Sequence, residues 1–211
     1  MPHRIINVGA TPIVDGQKSV SGDLVELDGK MFYQIENVDH LGPFLISIVS
    51  ASDHWMFISS NGALTAGRKN SDNALFPYYT DDKIHDSWDI TGSKTILIVK
   101  TGDQSILWEP LSDRYSGVYS ITRNLYKSAS AESIRFEEVN HDLGLSFWYE
   151  WSLSVQFGFV KRSGIVNIGD TTVHIDVLDG IQNVLPYGVD QLLQTERSTL
   201  IDAYKKAELH R

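Results

Sequence analysis

The 211-residue chain contains no cysteine. This absence excludes disulfide bridges, a catalytic thiolate and a zinc site with cysteine ligands. Because disulfides are typical of exported proteins, the composition favours the cytoplasm, and we expect a cytoplasmic location. Long apolar runs are missing too: no stretch is long enough to span a bilayer, and the first residues lack the apolar segment of a signal peptide. We therefore expect neither membrane insertion nor export.

Basic residues are scarce as well. Lys and Arg total 18 against 27 Asp and Glu, which gives a net charge of -9. No cluster of Lys or Arg could neutralise a row of phosphates, so we expect no nucleic-acid partner and no anionic membrane partner. The sequence also has no G-x-S-x-G, H-E-x-x-H, P-loop or G-x-G-x-x-G motif. It therefore gives no support to a serine hydrolase, a zinc protease or a nucleotide-binding protein, and we expect no cofactor and no metal site.

The dominant pattern is an alternation of large apolar and small polar residues over Leu143–Phe159. Side chains on a strand point to opposite faces in turn, so this period of two predicts a β-strand with one apolar face. The alternating apolar residues are Leu145, Phe147, Tyr149, Trp151, Leu153, Val155, Phe157 and Phe159. We expect them to be buried against a second sheet. The run is too long for an ordinary strand, so either it bends at Gly158 or it belongs to an unusually large sheet.

Shorter segments of β-branched and aromatic residues, separated by turn residues, recur through the chain. The predicted strands are 31–37, 44–50, 55–60, 62–67, 95–101, 105–109, 117–126, 132–140, 164–168 and 171–177. They predict an all-β fold, a large antiparallel two-sheet sandwich over residues 1–187. Residues 188–211 are predicted to form a helical linker. In it, Asp190 caps an amphipathic helix over 191–211 whose apolar stripe is Leu193, Leu200, Tyr204 and Ala207.

Polar candidates for function concentrate in a long connection, Arg68–Ser93. Its acidic part holds Asp81, Asp82, His85 and Asp86, whose oxygens suit a hard cation or a row of sugar hydroxyls. Its rings are Phe76, Tyr78, Tyr79 and Trp88, and flat rings stack on the apolar faces of sugars. The alternative interpretation is a solvated acidic loop. Two further candidates lie on predicted strands: Trp148, and the pair His174 and Asp176, which share one face and could interact.

Three stretches resemble the N-terminal domain of cellobiose phosphorylase and related glycoside phosphorylases. They are Gly-Ala-Leu-Thr-Ala-Gly-Arg-Lys-Asn-Ser at 62–71, Leu-Phe-Pro-Tyr-Tyr-Thr-Asp-Asp at 75–82, and Ile-Leu-Trp-Glu-Pro at 106–110. The resemblance implies a supersandwich of the galactose-mutarotase type, joined by a helical linker to a C-terminal helical barrel that carries the catalytic residues. On this basis the chain is a non-catalytic domain for carbohydrate binding and assembly, whose partners are an oligosaccharide, the catalytic domain and a second copy. The expected sugar contacts are Tyr78, Tyr79, Asp81, Asp82, His85 and Trp88.

Two other functions remain open on the sequence. The chain could be a stand-alone aldose epimerase or mutarotase, in which His and Asp or Glu act as the general acid and base. It could also be a sandwich that serves only in protein interaction.

Overall fold

The computed structural model describes residues 6–8, 11–13, 18–79 and 81–205. In this part of the chain, β-strands far outnumber helices. The strands are β1 Ile6–Val8, β2 Thr11–Ile13, β3 Ser21–Leu27, β4 Lys30–Glu36, β5 Leu45–Ile48, β6 His54–Ser59, β7 Leu64–Arg68, β8 Gly92–Thr101, β9 Gln104–Trp108, β10 Ile121–Ser128, β11 Ser133–Asn140, β12 Leu145–Ser154, β13 Gly158–Asn167 and β14 His174–Gln182. The helices are α1 Asp81–Asp86, α2 Gln191–Glu196 and α3 Ser198–Lys205, with 3-10 turns at Val38–His40 and Ser71–Asn73.

All paired strands run antiparallel, and most pair with a neighbour in sequence. The largest sheet has six strands in the order β13-β12-β11-β10-β4-β3. Two three-stranded sheets, β14-β8-β9 and β5-β6-β7, contribute side chains to the same core as the large sheet, and β1 pairs with β2 separately. The predicted all-β sandwich with a C-terminal helix is therefore confirmed, and two smaller sheets make up its second layer.

The core lies where the inner face of the six-stranded sheet meets the smaller sheets. On β12, the alternate residues Leu145, Phe147, Tyr149 and Trp151 are each at most 4% exposed, as the alternation predicts. The Trp151 ring meets the edge of Phe76 at a centroid distance of 6.2 Å. The same core takes in apolar residues of the smaller sheets, among them Met56, Ile58, Leu97 and Val99.

The long apolar run does not continue as one strand. It ends at Ser154, whose hydroxyl accepts hydrogen bonds from the backbone N–H groups of Gln156 and Phe157, and β13 starts at Gly158 with φ of +71°. A glycine is needed there, because a Cβ would also lie 3.0 Å from the His54 ring. The predicted burial of Val155 and Phe157 is wrong: the chain reverses, and they are 77% and 73% exposed at a hairpin tip. Of the two predicted alternatives, a bend at Gly158 or one strand of an unusually large sheet, the structure shows the bend.

The predicted C-terminal helix is two helices. Asp190 caps α2 as predicted, accepting a hydrogen bond from the Leu193 N–H at 2.7 Å, but Arg197 leaves the helical conformation and separates α2 from α3. Of the predicted apolar stripe, Leu193 and Leu200 are exposed and lie on different helices, and among the described helical residues after Asp190 it is Ile201 that is buried. The Tyr204 side chain and Ala207 lie outside the described part of the chain. No helix among the described residues is both long and apolar enough to cross a membrane.

Candidate functional site

A cleft of about 440 Å³ lies between the connection after β7 and the C-terminal helices. Tyr78 and Tyr79 line it from the connection, and Gln191 and Gln194 line it from α2. The remaining lining residues are Pro77, Lys83, Leu185, Thr195, Ser198 and Ile201. The cleft therefore brings two rings of the predicted sugar-binding connection against a polar helix surface.

Hydrogen bonds fix the helix wall to the tyrosine wall. The Tyr78 backbone N–H donates to Gln194 Oε1 at 2.9 Å, and Ser71 Oγ donates to Gln191 Oε1 at 2.9 Å. Asp72 accepts from the backbone N–H of Gln191 at 3.2 Å. These contacts join segments that are more than 110 residues apart in the sequence, so the cleft exists only in the folded chain.

The Tyr78 ring is held by packing and still faces solvent. It meets the Trp55 ring edge-on at a centroid distance of 5.9 Å, and it remains 40% exposed. Trp55 in turn lies flush against Gly67, where a Cβ would come within 2.5 Å of the indole. Only glycine fits at that position, which accounts physically for one glycine of the 62–71 stretch.

The polar lining supplies hydrogen-bonding groups and one ammonium, but no acid–base pair. Amides come from Gln191 and Gln194, whose Oε1 atoms already accept hydrogen bonds within the chain, hydroxyls from Thr195 and Ser198, and a cation from Lys83. Among the lining residues that the structure describes, none is a carboxylate or a histidine. Asp81 and Asp82 start α1 beside the cleft, and their side chains lie outside the described part. The arrangement suits binding of a neutral, hydroxyl-rich ligand better than proton transfer.

The structure separates the other two predicted contacts from this cleft. His85 Nδ1 shares a hydrogen bond of 2.7 Å with the buried Ser59 hydroxyl, and Asn61 donates to the His85 carbonyl at 3.1 Å. Trp88 lines a different cavity, of about 260 Å³. The six predicted contacts are therefore not one cluster, and a sugar contact stays a prediction for each of them.

No protein-family model matches this chain, and no curated protein matches it.

The helix wall was missed at the sequence level, although a signal for it exists. Gln191, Gln194 and Thr195 are spaced i, i+3 and i+4, which places them on one stripe of α2, and Ser198 follows as the first residue of α3. The prediction treated this helix as a linker with an apolar stripe. The polar stripe beside it is the one that faces the cleft.

Two of the remaining sequence candidates, Asp176 and Trp148, have structural partners. Asp176 pairs with Lys100 at 2.7 Å. Trp148 lies on the outer face of β12 with the Arg135 guanidinium 4.2 Å from its ring centroid. Among the described residues, no group of three or more His, Asp or Glu is placed to hold a metal ion.

A deeply buried carboxylate in another large groove accepts three hydrogen bonds from the chain. The groove, of about 600 Å³, is lined by Glu138, Trp108 and Arg123. Glu138 accepts from Trp108 Nε1, from the Leu111 N–H and from Arg123 Nε, each at 2.8 Å. Burial alone would lower the pKa of Arg123, but the Glu138 and Asp113 carboxylates beside it raise that pKa above its usual value. Glu138 therefore acts as a structural acceptor.

Proposed function

We propose that this domain binds carbohydrate in the cleft between Tyr78 and the C-terminal helices. The observation that carries the proposal is the presence of two tyrosine rings and a row of amide and hydroxyl groups on the walls of one cleft. A pyranose has apolar C–H faces that pack on aromatic rings, and hydroxyls that exchange hydrogen bonds with amides. The volume of about 440 Å³ falls within the range of about 300–1,000 Å³ usual for ligand sites. A short oligosaccharide is the ligand class that fits.

We further propose that the chain is the non-catalytic N-terminal domain of a larger glycoside phosphorylase or glycoside hydrolase-like protein. Support comes from the resemblance at 62–71, 75–82 and 106–110 and from the absence of an acid–base pair in the described lining. The helices that would lead to a C-terminal catalytic domain form one wall of the cleft, and ligand sites often lie at domain boundaries. A cytoplasmic location and assembly as a homodimer are parts of the same proposal.

Titration of the chain with cellobiose, maltose and glucose, followed by calorimetry, tests the binding. Tyr78→Ala is expected to weaken the tightest of these complexes about tenfold, the loss of one well-packed ring contact. Tyr33→Ala removes an exposed tyrosine from β4 and is the matched control, with affinity unchanged. Equal affinities for the wild type and both variants would show that the sugar does not bind in the cleft. If none of the three sugars binds, the proposal of carbohydrate binding is contradicted.

A stand-alone aldose epimerase or mutarotase is the alternative, and it requires a general acid and base at the sugar. Polarimetry of freshly dissolved α-glucose and α-galactose with the isolated chain distinguishes the two functions. Our proposal expects the uncatalysed rate of anomer conversion. A rate that rises in proportion to protein concentration would favour the epimerase.

A further inference from the structure

The cavity beside Trp88 is separate from the cleft and differs from it in character. Its volume is about 260 Å³, slightly below the range of about 300–1,000 Å³ usual for ligand sites. Trp88, Leu41 and Pro43 supply apolar surface, and Asp39, Asn61 and Arg123 supply polar groups. Space of this size and composition suits one small amphipathic ring.

Trp88 is presented on a turn that is tied down from three directions. The next residue, Asp89, has a positive φ of 60°, and its carboxylate pairs with Lys94 at 2.6 Å. The same carboxylate accepts from Ser112 Oγ at 3.0 Å, and the Asp89 carbonyl accepts from Gln182 Nε2 at 2.7 Å. A ring on such a fixed turn loses little conformational freedom when a ligand packs on it, which favours binding.

Trp88 also differs from the other four tryptophans in its contacts. Trp108 donates to Glu138, Trp148 lies under Arg135, and Trp55 and Trp151 each contact another aromatic ring. Among the residues that the structure describes, half-buried Trp88 makes neither a hydrogen bond nor a ring contact. Its indole N–H therefore has no acceptor among the described residues, and the residue lines the cavity.

The charges around the cavity favour an uncharged ligand with hydroxyl groups. Arg123 is saturated, since it donates to Glu138, Asp113 and the Ser112 carbonyl. Among the described lining residues, no other cation is present to bind a phosphate or carboxylate group. Asp39 is exposed and has no partner among the described residues, so its carboxylate can accept hydrogen bonds from hydroxyls.

We propose that the Trp88 cavity is a second carbohydrate site, which binds a single uncharged sugar ring through stacking on Trp88 and hydroxyl donation to Asp39. It lies apart from the cleft at Tyr78, and it needs none of the cleft residues. The domain would then hold two sugar units at two separate places on its surface.

Fluorine NMR of the chain labelled with 5-fluorotryptophan tests this site directly. The five tryptophans give five resonances, assigned by single Trp→Phe variants. Trp88 reports on the cavity, Trp55 reports on the cleft through its contact with Tyr78, and buried Trp151 is the internal control. Addition of glucose up to about 100 mM, which covers weak affinities, is expected to shift the Trp88 resonance and leave Trp151 unchanged.

Asp39→Asn removes the charge and keeps the size of the side chain. It is expected to weaken the glucose effect on Trp88 about tenfold, the loss of a hydrogen bond to a charged acceptor. Asp103→Asn, in the exposed turn between β8 and β9, changes the net charge equally and is the matched control, with the Trp88 titration unchanged. Tyr78→Ala is also expected to leave that titration unchanged.

The outcomes separate the two sites. A Trp88 resonance that does not move with glucose, while Trp55 does, would overturn the second site and leave the cleft standing. Movement of Trp88 alone would support the second site and count against the cleft. Equal titrations for wild type and Asp39→Asn would overturn the assigned role of Asp39.

Discussion

The two faces of strands β10–β12 are both buried, by opposite means. The inner face is mostly apolar, as at Phe136 and Trp151, and packs on the smaller sheets; the buried Arg123–Glu138 ion pair also lies on it. The outer face carries Tyr126, Arg135 and Glu150, which are only 7%, 8% and 3% exposed although two of them are charged. A buried charge is stable only when it has partners, so the stability of the outer face depends on its ion pairs and hydrogen bonds. The stability of the inner face depends mainly on how well its apolar side chains fill the core.

The partners on the outer face are nearly complete. The Glu137 carboxylate accepts three hydrogen bonds. The donors are Tyr126 OH at 2.6 Å, Asn124 Nδ2 at 2.9 Å and Ser146 Oγ at 2.9 Å. Arg135 donates to Glu150 at 3.0 Å and to Asp28 at 2.7 Å. Loss of one member therefore leaves another buried polar group with one partner fewer, whereas loss of a core methyl group leaves only a cavity.

The largest effect is expected on the inner face. Trp151→Ala should lower the free energy of unfolding by about 3–5 kcal/mol, because it leaves a large cavity next to Phe76. Trp151→Phe should cost much less, because it keeps a ring and removes an indole N–H that has no hydrogen-bond partner among the described residues. Urea unfolding measures both. Equal losses for the two variants would show that the indole N–H is satisfied in solution.

The outer face should respond almost as strongly to loss of one charge. Arg135→Ala is expected to cost about 3 kcal/mol, since Glu150 stays buried with one partner fewer. Arg162→Ala removes the other, exposed arginine of Glu150 and should cost less than about 1 kcal/mol. The same urea assay applies. Similar costs for both variants would mean that burial does not distinguish the two ion pairs.

Alkaline pH should weaken both faces through their tyrosines. Burial raises the pKa of Tyr149 and of Tyr126, and the Glu137 carboxylate raises the pKa of Tyr126 further. A folded pKa above the unfolded value of about 10 means that the stability is complete below pH 10 and is lost as pH rises beyond it. Each tyrosine then contributes a slope of up to about 1.4 kcal/mol per pH unit.

Tyr149→Phe and Tyr126→Phe test this dependence one face at a time. Above pH 10, each variant should make the free energy of unfolding fall less steeply with pH, by up to the slope that corresponds to one proton. The double variant should reduce the slope by up to that of two protons. Tyr126→Phe should also lower stability at neutral pH, because Glu137 loses a donor. An unchanged alkaline slope in both single variants would contradict the role of burial.

Sequence reasoning found the inner face and missed the outer one. Alternation alone identifies the buried positions from Leu145 to Trp151, since hydrophobicity is read residue by residue. Glu150 has the pattern of a wet face, and its burial depends on Arg135 of the neighbouring strand, which only the sheet register places opposite. The same holds for the cleft, of which one side can be predicted from local sequence and the other cannot. Tyr78 was predicted from local composition, but Gln194, 116 residues further along, was not.

The smallest effect on stability is expected at the hairpin tip after β12, where the alternation of apolar residues continues but no second sheet covers them. Phe157→Ser at the hairpin tip should change the free energy of unfolding by no more than about 0.5 kcal/mol, because the ring is 73% exposed. Phe147→Ala, ten residues earlier in the same run, should cost about 3–5 kcal/mol. The two phenylalanines occupy equivalent positions in the alternating pattern, so the difference between their stability costs reflects burial of Phe147 against the smaller sheets. A loss above about 1 kcal/mol for Phe157→Ser, especially one that depends on protein concentration, would show that the tip is covered in solution by a second copy.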